Sequence, residues 1–263
     1  MNDLINIIIL AIVQGATEWL PISSSGHLVL FTELLNFNGG LAFDVALHFG
    51  TLLAVIVYFW HDLIGILKSL IKWNSQDENF KLIKLLIIAS LPAVILGLLF
   101  YDFFNNLYRG TEFLGIGFLI TALLLFIGSF NFSFKKDKIS YSDALIMGIG
   151  QAISIIPSIS RSGATIVAGF IRGINEEKAA RFSFLMSIPV IFGANLLVGI
   201  KEINNITFDL NLLLGIIISF MVGLLTIHWL MKVVFKKKKN LRWFALYCLI
   251  LGLLISLKII GLS

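Results

Sequence analysis

Gln14-Gly-Ala-Thr-Glu-Trp-Leu-Pro-Ile-Ser-Ser-Ser-Gly-His-Leu28 places a carboxylate, a run of hydroxyls, a glycine and a histidine inside otherwise apolar sequence. Residues 4–20 are apolar with helical character, but the run stops at Pro21 and a polar turn follows at once. A bilayer-crossing helix needs roughly 20 apolar residues, so this segment reads as half of a re-entrant hairpin. A second stretch, Gln151-Ala-Ile-Ser-Ile-Ile-Pro-Ser-Ile-Ser-Arg-Ser-Gly-Ala-Thr165, echoes the first and adds an arginine. In both, a glutamine precedes a proline by six or seven residues, and a serine-rich turn ends in Ser-Gly. The two polar loops are expected to meet within a membrane as one phosphate-handling site.

Composition supports the membrane setting. Hydrophobic residues make up 58% of the 263 and charged residues 13%, against about half and a quarter in soluble domains. A cleavable signal is not expected, because Met1-Asn-Asp-Leu4 lacks a basic flank. The single cysteine, Cys248, excludes an internal disulfide. The net charge of +5 does not call for nucleic acid, since the basic residues fall in short loops where they set orientation.

These features predict an all-α polytopic membrane protein with about six full spans, near 43–60, 85–101, 113–130, 182–200, 210–235 and 243–262. Segment 63–73 between the first two is amphipathic. Basic residues crowd the loops near 68–84, 135–138, 172–181 and 236–242, which are placed in the cytoplasm. Loops near 33–44, 101–112 and 201–209 are nearly free of Lys and Arg and are placed outside, with both termini on the outer face. The first hairpin then dips in from outside and the second from inside, each followed by three spans. That is an inverted-topology repeat, with halves of about 1–131 and 141–263 joined by a basic loop at 132–140.

A carboxylate inside a membrane is a functional candidate by default. Glu18 lies one helical turn beyond Gln14, and together they offer hard oxygen ligands to Mg²⁺ or Ca²⁺. The alternative is a structural ion pair. Ser23, Ser24, Ser25 and Gly26 supply hydroxyls and free amides to an anion, and His27 is a candidate nucleophile or base. Arg161 suits phosphate with its planar fork, flanked by Ser160, Ser162, Gly163 and Thr165. An Arg161–Glu18 salt bridge joining the repeats is the competing reading, compatible with phosphate binding once substrate arrives. His48, His61 and His228 show no ligand-like spacing and read as interfacial.

These residues resemble the undecaprenyl-diphosphatase family of bacterial membranes, also known for bacitracin resistance. Gln14 to Glu18 is similar to its (Glu/Gln)-x-x-x-Glu pattern, with Pro21-Ile-Ser-Ser-Ser-Gly-His27 directly after. Pro157 to Thr165 is similar to its Pro-Gly-x-Ser-Arg-Ser-Gly-Ala-Thr pattern, with Ser158 where the family usually has glycine, and Phe182-Ser-Phe-Leu-Met-Ser-Ile-Pro189 agrees as well. The resemblance implies hydrolysis of undecaprenyl diphosphate to the monophosphate and inorganic phosphate, recycling the lipid carrier for cell-wall synthesis in the bacterial inner membrane. It implies Glu18 and Gln14 as metal ligands and Arg161 as the phosphate ligand. The serines and Thr165 would be hydrogen-bond donors, and His27 the nucleophile or base with Ser24 as its rival. Membrane lipids are expected partners, and a homodimer is left open. The alternative function is a secondary transporter or flippase for an anion or polyprenyl phosphate, since inverted repeats with broken helices are a transporter device.

Overall fold

The structure is a computed structural model that describes residues 2–37, 39–73, 76–100, 103–104, 113–130, 136–201, 209–234 and 238–258. Helix α1 (Asn2–Thr17) ends in a turn over residues 18–22, and α2 (Ser24–Leu34) leads back. After α3 (Gly40–Tyr58) the chain turns by 75° at Phe59 into α4 (Trp60–Lys72), the amphipathic segment read from sequence. Trp73 closes α4 in the left-handed conformation, φ 49°. Helix α5 (Glu78–Leu99) is capped by Asp77, whose carboxylate accepts from the Asn79 N–H. Helix α6 (Leu114–Gly128) completes the first half.

The second half opens with α7 (Tyr141–Ile153), fixed by a capping box between Ser140 and Asp143. A polar turn and α8 (Arg161–Ile171) follow, then α9 (Glu176–Lys201). Helix α10 (Leu210–Trp229) continues as a π-turn through Leu230–Val234, and α11 (Leu241–Ser256) is last. Pro92 and Pro189 sit inside α5 and α9, as membrane helices tolerate.

The chain is an all-α polytopic membrane protein. Among the described residues, three helices are long and apolar enough to cross a bilayer on their own: Glu78–Leu99, Glu176–Lys201 and Leu210–Val234. The other three expected spans are built differently. The first, α3, ends at Phe59, where the chain bends by 75° into the amphipathic α4, and α6 and α11 are shorter apolar helices among the described residues. Much of the expected outer loops at 101–112 and 201–209, and parts of the basic loops at 135–138 and 236–242, lie outside the described residues.

The halves pack through matching contacts. Helix α1 lies against α10 as α7 lies against α5, each half-helix thus resting on a long helix of the opposite half, and α6 pairs with α11. Small residues let these backbones approach, as expected where lipid removes the hydrophobic drive for association. A Cβ on Gly148 would sit 2.5 Å from the Ala89 carbonyl oxygen, and one on Gly115 2.3 Å from Ser256 Oγ. Large apolar side chains such as Leu98, Leu99, Ile200 and Leu225 face outward, which is the lipid-facing arrangement.

Candidate active site

Proline 21 halts α1, and the chain turns with Ser23 in the left-handed region, φ 72°. Ser23 then caps α2, its Oγ accepting from the Gly26 N–H at 3.2 Å. In the second hairpin Ser158 takes φ 65°, and Ser160 caps α8 by accepting from the Gly163 N–H at 3.1 Å. Thr121 of α6 braces that turn: its hydroxyl donates to the Ser158 carbonyl at 3.1 Å and accepts from the Ser160 N–H at 3.0 Å.

The two tips touch, and each sends one serine to the other. Ser162 Oγ donates to the Leu20 carbonyl at 3.0 Å, and the Ser158 N–H donates to Ser25 Oγ at 3.4 Å. Gly26 makes the approach possible, because a Cβ there would stand 2.7 Å from the Phe118 ring and 3.1 Å from Ser158 Oγ.

Glu18 lies at the junction, 7% exposed. One carboxylate oxygen pairs with Arg161 Nη2. The other accepts from Ser24 Oγ at 2.5 Å and from Gln14 Nε2 at 3.0 Å. The ion pair weighed in the sequence is therefore present, and it joins the two hairpins. Arg161 also rests against the Trp19 ring, 5.4 Å from its centroid, and its Nη1 is buried with no partner. Left like this, a guanidinium N–H is costly, and an anion would satisfy it.

His27 is held apart from the carboxylate by other bonds. A carbonyl can only accept, so His27 Nδ1–H donates to the Ser23 carbonyl at 2.6 Å, and Nε2 accepts from the Tyr247 hydroxyl at 2.7 Å. The ring stacks on Tyr247 of α11 and meets Phe118 of α6 edge-on. Thr165 is directed into the bundle, where it shares a 2.6 Å bond with Ser183 of α9. Ser160 and Ser162 lie 3.2 Å apart, oxygen to oxygen, as Ser23 and Ser25 do at 3.3 Å. Thus Gln14, Glu18, Ser24 and Arg161 converge, while His27 and Thr165 anchor the tips to neighbouring helices.

Sequence reasoning passed over Trp19, Thr121, Tyr247 and His48. Trp19 lay inside the quoted motif and Thr121 was an isolated hydroxyl in an apolar run. Tyr247 lies 220 positions from His27 with no local signal. His48, read as interfacial, stands with Nε2 3.6 Å from the Glu18 carboxylate.

Among the described residues no three His, Cys, Asp or Glu side chains cluster as a metal cage. The donors still fit a divalent cation that takes few protein ligands. Gln14 Oε1 is buried beside Glu18 with no hydrogen-bond partner, and Mg²⁺ is commonly held by one or two protein oxygens plus substrate phosphates.

The chain matches the family described as bacitracin resistance protein BacA over residues 7–254. It is 42% identical to the undecaprenyl-diphosphatase of Methanosphaera stadtmanae, covering 97% of both chains. It is 41% identical to that of Halothermothrix orenii, over 96% of this chain and 97% of the relative. With that of Thermosipho africanus it shares 40% identity, over 95% of this chain and 98% of the relative. Two hairpin tips meeting on one carboxylate, within a match that spans nearly the whole sequence, place the chain in the bacitracin resistance protein BacA family.

Proposed function

We propose that this chain is an integral-membrane phosphatase that hydrolyses undecaprenyl diphosphate to undecaprenyl phosphate and inorganic phosphate, returning the carrier to cell-wall synthesis and conferring bacitracin resistance. The observation that carries the reading is the convergence of Ser24 and Arg161, one from each hairpin, on the Glu18 carboxylate. A hydroxyl with a base in contact and a guanidinium with an unpartnered N–H is the equipment for attack on a phosphate.

The geometry favours Ser24 over His27 as the attacking group, because both His27 nitrogens are engaged by Ser23 and Tyr247. Ser24 Oγ forms a bond to the terminal phosphorus as its proton passes to Glu18. The bond from that phosphorus to the bridging oxygen breaks, and undecaprenyl phosphate departs. Arg161, released from part of its pairing with Glu18, donates to the oxygens that carry the charge. Water then attacks the phosphoserine, inorganic phosphate leaves, and Ser24 recovers a proton. His27 holds the Ser23–Ser24 backbone at its angle. A Mg²⁺ or Ca²⁺ ion held by Glu18 and Gln14 Oε1 would neutralise phosphate charge.

Orientation is read from the basic face. Asp143 pairs with Arg172 and Lys136, Asp137 with Lys178, and Asp62 with Arg181. This Lys/Arg-rich side is assigned to the cytoplasm, so both termini fall outside.

The test is phosphate release from undecaprenyl diphosphate by purified protein in detergent, with acid quench of substrate labelled in its terminal phosphate. Labelled protein is expected from the wild type and not from Ser24→Ala. Unimpaired release by Ser24→Ala and Arg161→Ala would overturn the reading.

A further inference from the structure

His48 enters none of the steps above, yet its ring faces the buried carboxylate. Its Nδ1 is 2.8 Å from the carbonyl oxygen of Asp44, one turn back on α3. A carbonyl can only accept, so Nδ1 carries a proton, and the nitrogen left to take a metal is Nε2. Nε2 lies 3.6 Å from Glu18 Oε2. At this separation the imidazole nitrogen and the carboxylate oxygen need something positive between them, either a proton on the ring or a metal cation. Gln14, bonded to the same Glu18 oxygen and to Thr51 at 3.4 Å, brings a third acceptor, the buried and unpartnered Oε1. The imidazole is also reachable: its side chain is 27% exposed where that of Glu18 is 5% exposed.

We propose that His48 Nε2 is a protein ligand of the divalent cation, completing with Glu18 and Gln14 a mixed nitrogen and oxygen set. The inference rests on the reading of Glu18 and Gln14 as cation ligands. A separation of 3.6 Å is spanned by two ligand bonds of about 2.1 Å meeting at an obtuse angle. Imidazole suits transition metals better than Ca²⁺, which takes oxygen alone. The site therefore prefers Mn²⁺ to Ca²⁺, and the preference comes from His48.

The experiment uses the full chain in detergent with Mn²⁺ alone. Electron spin-echo modulation of the bound Mn²⁺ is expected to show imidazole ¹⁴N coupling in the wild type. The coupling should persist in His27→Gln and vanish in His48→Gln. Binding titrations should show Mn²⁺ weakened at least about tenfold in His48→Gln, with Ca²⁺ affected less. Bound Mn²⁺ without nitrogen coupling in the wild type, coupling that survives in His48→Gln, or no Mn²⁺ binding at all would each overturn the proposal. The wild-type measurement decides even if His48→Gln fails to fold. Phosphate release by the wild type, measured separately, shows whether the hydrolase reading stands when His48 does not.

Discussion

Ser23 and Ser160 cap the returning helices of the two hairpins in the same way, each accepting from a glycine N–H three residues on. Each tip has a second serine, Ser25 or Ser162, that pairs with its cap and reaches across to the opposite turn. Each also has a serine in the left-handed region, Ser23 or Ser158. The difference is the residue just after the cap, Ser24 in one tip and Arg161 in the other. One shared scaffold thus presents a hydroxyl from one side and a cation from the other to a single carboxylate, Glu18. Only the first hairpin supplies that carboxylate. What the comparison teaches is that pairing two near-copies lets one geometry serve two roles.

The largest effect should come from erasing the difference. Ser24→Ala is expected to lower phosphate release by on the order of 10³-fold or more, as loss of a nucleophile does. A loss below about tenfold, measured on protein of native thermal stability, would assign Ser24 to the scaffold alone. Arg161→Ala should cost about 10³-fold, the lower end for arginines that stabilise a transferring phosphoryl group. It should also lower the thermal transition, since it leaves Glu18 buried without its cation. Arg161→Lys should restore stability more than activity, because an ammonium lacks the planar fork.

Gly26 and Gly163 test whether the shared scaffold is equally tight on both sides. A Cβ at Gly26 meets the Phe118 ring of another helix at 2.7 Å, whereas one at Gly163 meets its own cap, Ser160, at 3.1 Å. Gly26→Ala should destabilise by about 1–3 kcal/mol through overpacking, and Gly163→Ala by less. Equal losses in thermal denaturation would contradict the asymmetry.

Ser158 gives the smallest effect and the opposite sign. Serine is strained at φ 65°, and its hydroxyl is buried without a partner. Ser158→Gly should stabilise by about 1 kcal/mol, read as a rise in the thermal transition. A fall would mean that the Ser158 hydroxyl makes a contact worth more than the strain.

These residues also show where sequence reasoning reached and where it stopped. The broken helices were legible because Pro21 and Pro157 interrupt apolar runs and hydroxyls follow at once. The Glu18–Arg161 pairing was legible because an intramembrane charge needs a partner and few were on offer. The end of the first span was legible too, because His61 and Asp62 follow the apolar run at once and the amphipathic segment begins just after the 75° bend; its angle was not, since hydropathy carries no direction. In sequence His27 stood as the candidate nucleophile or base, because its partner Tyr247 lies 220 positions away, on α11. His48 looked interfacial because only α3 packing beside the hairpin brings it to Glu18.

The central claim is that the two tips meet, and cross-linking tests it most directly. Cysteines replacing Ser25 and Ser158, in a Cys248→Ser background with a protease site engineered between the halves, should form a disulfide in native membranes under mild oxidation. The predicted result is two fragments that stay joined after cleavage and separate on reduction. Fragments that separate without reductant, while the uncleaved protein remains folded and oxidised controls cross-link elsewhere, would contradict the shared site.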